Sequence, residues 1–186
     1  MAHGVCPWWL GYLLASPLRR LVQSPAAILS PFVSEGMTVL EPGPGMGFFT
    51  LELARRVGPS GKVIAVDIQA KMLAGLQRRA RRAGLLTRID PRLTSGEGLG
   101  VSDLSGKVDF VLAFAMVHEM PDPDRFFAEA HSVLVPGGRL LLSEPSGHVP
   151  ERDFSATVAK AEKVGLAVEG HPRIPRSQAA VLVKRP

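Results

Sequence analysis

Three glycines spaced two residues apart, directly after an acid, carry the clearest chemical signal in this sequence. Gly43, Gly45 and Gly47 follow Glu41 at the end of a short apolar run. Glycine lets the backbone turn sharply and lets a ligand lie against the main chain, while a helix that follows aims its free N–H groups at the same place. A tight strand-to-helix turn without a ligand also favours glycine, so the pattern alone leaves both interpretations open.

A second acid strengthens the ligand interpretation. Asp67 ends the apolar run Val63–Val66, twenty residues beyond Gly47. A carboxylate at the end of a strand is placed to accept hydrogen bonds from both hydroxyls of a ribose. Each of these hydrogen bonds contributes about 1.5–3 kcal/mol. Capping of the next helix is the alternative for Asp67 alone. Taken together, the two acids and the glycines predict an adenosine-type ligand at the carboxyl ends of the strands.

The spacing of the glycines favours a methyl donor over a dinucleotide. The dinucleotide fingerprint is Gly-x-Gly-x-x-Gly, which would require glycine where this chain has the bulky Phe48. Glu41 would repel a pyrophosphate but suits a sulfonium cation and an amino group. The residues therefore favour S-adenosylmethionine.

Strands and helices alternate from residue 37 onward, which is typical of an α/β fold with a parallel sheet. Apolar patterning and turn residues predict strands at 37–41, 63–66, 89–93, 108–113, 139–143, 166–171 and 179–184, and helices at 48–57, 69–83, from 122 and at 154–164. Pro91 removes a ladder hydrogen bond, so the third strand should lie at a sheet edge. The last two strands are too close in sequence for a parallel crossover and must pair antiparallel.

Four stretches together resemble the class I S-adenosylmethionine-dependent methyltransferases, most of all the branch of quinone-biosynthesis and arsenite methyltransferases. They are residues 41–47, Asp67, the run VDFVLAFAMVHEMPD at 108–122 and LVPGGRL at 134–140. The resemblance implies a Rossmann-like, seven-stranded mixed sheet of order 3-2-1-4-5-7-6 with the last strand antiparallel and helices on both faces. It also implies S-adenosylmethionine as cofactor and S-adenosylhomocysteine as product.

The same resemblance assigns residues to the cofactor. Glu41 faces its amino-acid end, Asp67 holds the ribose and Ile68 covers the adenine. The remaining expected contacts are Gly43, Gly45 and Gly47 against the cofactor, Ser95, Gly96 and Glu97 near the adenine, and Phe114 and Ala115 at the methionine end. Relatives often carry an acid where this chain has Ser95.

Candidate catalytic residues follow the fourth and fifth strands. His118 occupies a position that lines the methyl-transfer site in relatives, and Glu144 begins the segment that reaches His148 on the opposite wall. Histidine suits a general base near neutral pH. The sequence leaves open which of the two histidines acts, or whether positioning alone suffices, which can remove roughly 7–11 kcal/mol of barrier.

We expect one domain over residues 1–186, with an N-terminal helical extension or lid at 1–36 before the Rossmann-like core at 37–186. Trp8, Trp9 and Tyr12 in the extension are candidate substrate contacts, because aromatic side chains supply an apolar wall or a cation–π face. Burial in a lid helix or a dimer contact, and a membrane-touching amphipathic segment, are the alternatives.

Charge and cysteine content bear on the binding partners and the cellular location of the protein. The net charge is +5, and residues 55–92 hold ten Lys/Arg against two acids. A solvated helix face explains this better than a nucleic-acid footprint, because the opposite helix face is apolar. The single cysteine, Cys6, forms no internal disulfide, and no apolar run reaches membrane-spanning length. We therefore expect a cytoplasmic protein.

The sequence predicts an enzyme that transfers methyl from S-adenosylmethionine to a small molecule, with no DNA partner and no metal site, because no His/Cys/Asp cluster has ligand spacing. One alternative is an RNA or protein methyltransferase that docks through the basic 71–92 surface. The other is a non-catalytic module that only binds S-adenosylmethionine. With one cysteine, the multi-cysteine site of arsenite methylation cannot be assembled, so that substrate is not expected.

Overall fold

The computed structural model of the protein describes residues 23–185. Its strands are β1 (Thr38–Pro42), β2 (Lys62–Asp67), β3 (Ile89–Leu93), β4 (Val108–Phe114), β5 (Leu134–Pro145), β6 (Leu166–Gly170) and β7 (Ser177–Lys184). They form a seven-stranded sheet of order β3-β2-β1-β4-β5-β7-β6. This order, and the antiparallel pairing of β7 with β5 and β6, confirm the predicted fold.

The helices of the described chain are α1 (Pro25–Leu29), α2 (Thr50–Arg56), α3 (Ala70–Arg82), α4 (Pro123–Val133) and α5 (Glu151–Lys163). Single 3₁₀ turns lie at Leu86–Arg88, Ser102–Leu104 and Val117–Glu119. None of these helices is long and apolar enough to cross a membrane. The chain divides into two compact units, one up to Glu97 and one from Gly98.

Unit one contains β1, β2 and β3 in parallel register. Glu41 pairs with Ala65, and Asp67 pairs with Leu93. Pro91 lies in β3 at the end of the strand order, which confirms the edge position predicted from its missing N–H.

The helix α3 owes its position to one apolar face. Met72, Leu73, Leu76 and Ala80 recur at helical spacing and are buried, while the arginines near the helix end are largely exposed. The helix stops at Gly84, which has φ of +68°, and the N–H of Leu85 donates to the carbonyl of Ala80 at 2.9 Å. This is the left-handed C-terminal cap that the sequence predicts there.

Unit two contains β4 to β7 with α4 and α5. The helix α4 begins where predicted, because the Asp122 carboxylate accepts a hydrogen bond from the N–H of Arg125 at 3.0 Å and Pro123 occupies the first turn. The two final strands are linked through a tight turn in which Arg176 has φ of +60° and Ile174 bridges Ser177.

Two of the predicted boundaries differ from the structure by three residues or more, and the others agree within two residues. β5 begins at Leu134 rather than 139, since Leu134 already pairs with Val108; the Pro136-Gly137-Gly138 turn appears as a break in register before Arg139 pairs with Phe110. The helix α5 begins at Glu151 rather than 154, because Pro150 precedes it and acids occupy its first turn, where they complement the helix dipole.

Candidate functional site

The glycine run of unit one forms a turn that requires glycine at three positions. Gly43, Gly45 and Gly47 have φ of +66°, +55° and +83°, in the left-handed region that other residues rarely adopt. The N–H of Gly43 donates to the carbonyl of Val66 at 2.9 Å, and the N–H of Gly47 donates to that of Pro44 at 2.9 Å. These bonds fix the turn against the end of β2.

Two of these glycines differ in their surroundings. A Cβ at Gly47 would lie 2.5 Å from Leu76 Cδ1, so Gly47 is needed for packing against α3. A Cβ at Gly45 would meet nothing within 4 Å. Gly45 therefore borders open space that a ligand can enter, as expected of a turn that a ligand approaches closely.

Glu41, the last acid before this turn, is 4% exposed, and one of its carboxylate oxygens, Oε2, makes no hydrogen bond in the described chain. Burial raises the pKa of Glu41 to about 8; the nearby charge of Asp67 adds to the rise and the neighbouring Thr50 hydroxyl acts against it. A cationic group beside this carboxylate would supply the missing partner, which fits the amino or sulfonium group of S-adenosylmethionine.

Asp67 ends β2, beside β1, and is 8% exposed. Its Oδ1 accepts a hydrogen bond from the N–H of Gln69 at 2.8 Å. Burial raises the pKa of Asp67, and hydrogen bonds from backbone N–H groups oppose that rise. Gln69 is the N-cap residue of α3, so this bond does not reach an N–H of the helix's first turn. The predicted hydrogen bonds from ribose hydroxyls to Asp67 stay a prediction.

Two apolar residues next to Asp67, in sequence or in the strand pairing, are exposed to solvent. Ile68 is 44% exposed, and a Cβ on Gly96 would lie 3.5 Å from its Cγ2. Leu93, which pairs with Asp67 in register, is 61% exposed. These are the two large hydrophobic residues that the described chain leaves exposed. Leu93 was not among the predicted cofactor contacts, although an apolar residue at the end of the predicted edge strand was a usable signal.

Ser95 and Glu97 are also exposed in unit one, so both side chains are accessible to a ligand. Their predicted contact with adenine stays a prediction. Phe114 and Ala115 lie in unit two, at the end of β4, and are half-buried. Their predicted place at the methionine end of the cofactor likewise stays a prediction.

Thr50 is a second residue that the sequence analysis missed. It is fully buried as the first residue of α2, and its hydroxyl lies close enough to Glu41 to oppose the rise in the pKa of that carboxyl. A Cβ on Gly47 would lie 3.6 Å from that hydroxyl. A threonine at the start of the helix that leaves the glycine turn was the available signal.

Unit two brings together Glu144 and His118, which are 26 residues apart in sequence. Glu144 is the next-to-last residue of β5, and its side chain is 1% exposed. Its Oε1 accepts hydrogen bonds from the N–H groups of Val117 at 2.9 Å and His118 at 3.3 Å, and its Oε2 lies 2.6 Å from His118 Nδ1. One buried carboxylate therefore holds both the 3₁₀ turn and the imidazole.

His148 lies beside this pair. Its ring centroid is 5.2 Å from that of His118 in an edge-to-face arrangement, and its side chain is exposed. The structure thus brings together all three predicted catalytic residues. It holds only His118 against a buried carboxylate.

The backbone just before His118 adopts a rare conformation. Ala115 has φ of +54°, and its N–H donates to the carbonyl of Ser143 at 2.7 Å. A non-glycine residue in this region costs about 1–3 kcal/mol and persists where its surroundings enforce it, commonly at functional sites. The bend directs the chain from β4 into the turn that carries His118.

Trp8, Trp9 and Tyr12 lie outside the described residues, so their predicted contact with substrate stays a prediction.

Comparison with known proteins defines the class. The sequence matches the family described as "Methyltransferase domain" over residues 33–174, so the chain belongs to that family. A solved structure from Aquifex aeolicus, described as a SAM-dependent methyltransferase, superposes with a TM-score of 0.86 at 22% identity and covers 97% of this chain and 100% of its own. The resemblance to class I methyltransferases is thereby confirmed for family and fold.

Two curated relatives are similar over part of the chain. The ubiquinone/menaquinone biosynthesis C-methyltransferase UbiE of Pasteurella multocida is 34% identical over 60% of this chain and 41% of its own length. The arsenite methyltransferase of Halobacterium salinarum is 33% identical over 60% of this chain and 28% of its own. This chain therefore spans less than half the length of these relatives.

Proposed function

We propose that this protein is an enzyme that transfers a methyl group from S-adenosylmethionine to a small-molecule acceptor. The observation that carries the proposal is the buried Glu41 oxygen without a hydrogen-bond partner in the described chain, four residues before Gly45, which borders open space. A cation bound here would give that carboxylate oxygen the partner that residues 23–185 do not provide. Membership of the methyltransferase-domain family supports the same conclusion.

Residues of unit one would hold the donor. Glu41 would pair with the positive charge of the donor, and Gly45 would let the donor approach the backbone closely. Asp67 would accept hydrogen bonds from the ribose hydroxyls. The exposed side chains of Ile68 and Leu93 would cover the adenine. When bound, the donor supplies an electrophilic methyl group on a sulfonium, and the protein orients an acceptor toward it and excludes water.

The small-molecule acceptor is supported by the names of the relatives. One curated relative is named a ubiquinone/menaquinone biosynthesis C-methyltransferase and the other an arsenite methyltransferase. Arsenite itself is a poor candidate for this chain, since the single cysteine cannot form a multi-cysteine arsenic site. Trp8, Trp9 and Tyr12 remain our proposed acceptor contacts. The cytoplasm remains our proposed location, which subcellular fractionation would test.

Two alternatives are kept because the fold alone supports several activities. One structural neighbour is described as the [4+2]-cyclase SpnF, with a TM-score of 0.71 at 17% identity, so the same fold also occurs in a protein named for other chemistry. A module that binds the donor without transferring its methyl group is the first alternative. Another neighbour is described as a putative rRNA-methylase from Clostridium thermocellum, with a TM-score of 0.70 at 19% identity, and an RNA acceptor is the second.

The test uses S-adenosylmethionine labelled in its methyl group. Purified protein is incubated with the labelled donor and a cell extract divided into metabolite, RNA and protein fractions. We expect label in the metabolite fraction only. The matched controls are Asp67→Ala, which removes the ribose-binding carboxylate, and Glu162→Ala, which removes an exposed carboxylate on α5.

The outcomes separate the alternatives. Transfer lost in Asp67→Ala and kept in Glu162→Ala supports the proposal. Label in RNA or protein would overturn the small-molecule acceptor. Donor binding without transfer to any fraction would identify a binding module instead, and calorimetry with S-adenosylhomocysteine measures that binding directly.

A further inference from the structure

The carboxylate of Glu144 is fixed before any acceptor binds. It is 1% exposed, and two backbone N–H groups, from Val117 and His118, donate to its Oε1. Hydrogen bonds to a charged acceptor are about twice as strong as those between neutral groups. The Glu144 carboxylate is therefore held in one position near the end of β5.

This arrangement determines which nitrogen of His118 carries the proton. An ionised carboxylate only accepts hydrogen bonds, so the 2.6 Å contact requires a proton on Nδ1. In the neutral imidazole the other nitrogen, Nε2, then holds the free lone pair. Nε2 faces away from Glu144 and lies 3.9 Å from the nearest oxygen of Glu119.

The same observation distinguishes the two candidate histidines. Within residues 23–185 the structure gives the His148 ring an edge-to-face contact with His118 but no hydrogen bond to a carboxylate or carbonyl. Its tautomer is therefore not fixed by a partner in this part of the chain. Of the two, only His118 has the orientation expected of a general base.

We propose that Glu144 positions His118 as the general base for an acceptor hydroxyl of the phenol or enol class. This inference rests on the proposed methyl transfer and names its acceptor class. The acceptor O–H bond breaks and its proton passes to His118 Nε2. The oxygen electron pair forms the new bond to the methyl carbon, and the pair of the broken carbon–sulfur bond stays on sulfur.

The chemistry of the pair selects this class of acceptor. A phenol or enol is protonated and weakly nucleophilic near neutral pH, so removal of its proton in the transition state accelerates transfer by about 10²–10⁴-fold. An amine that is neutral at this pH, such as an aromatic amine, attacks through its own lone pair and loses its proton afterwards to water. Such an amine has no need of an oriented base, and neither has arsenite.

The pH dependence follows from the groups around His118. In the described chain these are Glu144 from β5, Glu119 from the same turn and His148 from the segment after β5. The hydrogen bond to Glu144 raises the pKa of His118 above its ordinary value of 6.5, against an opposing effect of burial. Because the base must be neutral, the rate should rise with pH above 6.5 and then level off.

The first test needs no turnover. Protein labelled with ¹⁵N-histidine is titrated by NMR, with His118→Gln identifying the resonance. In the wild type we expect the Nδ1–H tautomer and a midpoint above that of a free histidine. In Glu144→Gln the midpoint should move to lower pH and the tautomer preference should weaken. An unchanged titration in Glu144→Gln would overturn the positioning role.

The second test follows the labelled methyl group. The product is first separated from the donor and treated with mild alkali, which removes methyl esters. Hydriodic acid then releases the methyl of an O-methyl ether as volatile methyl iodide, whereas methyl on carbon is retained. We expect the label to be released, and His118→Gln to transfer roughly 100-fold more slowly or worse. Glu144→Gln should be slower at its plateau, with the pH midpoint shifted down. His171→Gln, in the β6–β7 connection, is the matched control and should transfer normally.

The outcomes separate this inference from the function on which it rests. Label on carbon, nitrogen, sulfur or arsenic overturns the proposed transfer to oxygen, and a wild-type rate in His118→Gln overturns the base. Both results leave methyl transfer itself intact. No label in any fraction, with S-adenosylhomocysteine still bound, overturns the proposed function, and the acceptor class falls with it. Calorimetry with S-adenosylhomocysteine on each variant confirms that a lost rate does not reflect a lost donor site.

Discussion

Glu41 is the residue at which structure and proposed function make opposite demands on stability. Its folded-state pKa is about 8, against an ordinary 4.5. Between these values the folded protein binds a proton that the unfolded chain has lost, so stability falls as pH rises from about 5 to 8. A bound cation would offset this loss. The ionised Glu41 carboxylate therefore lowers the stability of the empty protein, and a bound cation raises it again.

The first prediction follows from that sign. Glu41→Gln cannot ionise, so the empty variant should be more stable than the wild type at pH 8.5 by on the order of a few kcal/mol, since each pKa unit corresponds to about 1.4 kcal/mol. The difference should nearly vanish at pH 5. Urea unfolding at the two pH values measures it. Glu162→Gln, at an exposed position on α5, is the control, and parallel pH curves for the wild type and Glu41→Gln would contradict the prediction.

The glycine turn allows a packing role to be separated from a ligand role. Gly45→Ala and Gly47→Ala both place alanine at positive φ, which costs roughly 1–2 kcal/mol each. Gly47→Ala also pushes a Cβ against the fully buried Leu76 and should lose a further 1–3 kcal/mol or so. Urea unfolding should therefore rank Gly47→Ala as the less stable variant.

Donor binding should rank the two variants differently. Gly45→Ala fills space that no protein atom occupies, so it should lose S-adenosylhomocysteine affinity by at least about tenfold while staying folded, as one misplaced contact of roughly 1.4 kcal/mol suffices. Calorimetry at a temperature well below unfolding measures this affinity. Wild-type affinity in Gly45→Ala would show that the open space at Gly45 is not the donor site.

At the scale of elements, helix starts are the features best determined by local sequence. Asp122 accepts from the N–H of Arg125, and Pro123 follows it in the first turn of α4. We predict that Asp122→Ala destabilises the protein by about 1 kcal/mol, while Asp122→Asn, which keeps an acceptor oxygen, loses much less. Equilibrium urea unfolding of the two variants at neutral pH gives the difference. Equal losses would assign the effect to charge rather than to capping.

The ends of strands are harder to predict where pairing with a neighbouring strand continues through residues that favour a turn. Pro136-Gly137-Gly138 predicts a turn that closes before the fifth strand, and Gly137 does have φ of +78°. Leu134 nevertheless pairs with Val108, because a sheet tolerates an irregularity between two paired segments. No local pattern encodes that pairing, since its partner lies 26 residues earlier.

At the scale of the whole molecule, strand order is predictable from the sequence and side-chain pairing is not. Pro91 and the short link between the last two strands limit the topology, and the resemblance to class I methyltransferases supplies the rest of the order. The sequence also indicates that His118, His148 and Glu144 follow neighbouring strands. It cannot show which histidine the carboxylate holds, because a 2.6 Å contact depends on rotamers and on the bend at Ala115.

The net charge of +5 raises the last question at this scale, whether the basic segment binds RNA. Several of its cations already have partners: Lys62 donates to the Thr87 carbonyl, Arg88 to that of Ala54 and Arg79 to that of Met46. Arg81 and Arg82, at the end of α3, are exposed and complement the helix dipole. These roles explain the charge without a nucleic acid.

We therefore predict weak RNA binding that depends on few phosphate contacts. A fluorescent RNA hairpin, followed by anisotropy over a KCl series, should bind weakly at about 50 mM salt and lose binding by about 200 mM with a shallow slope, because each phosphate contact adds about 0.9 to the slope in a duplex. The double variant Arg81→Glu/Arg82→Glu should keep the wild-type rate of methyl transfer to the metabolite fraction. A steep slope, together with label lost from RNA in the double variant, would instead make α3 the docking surface of an RNA methyltransferase.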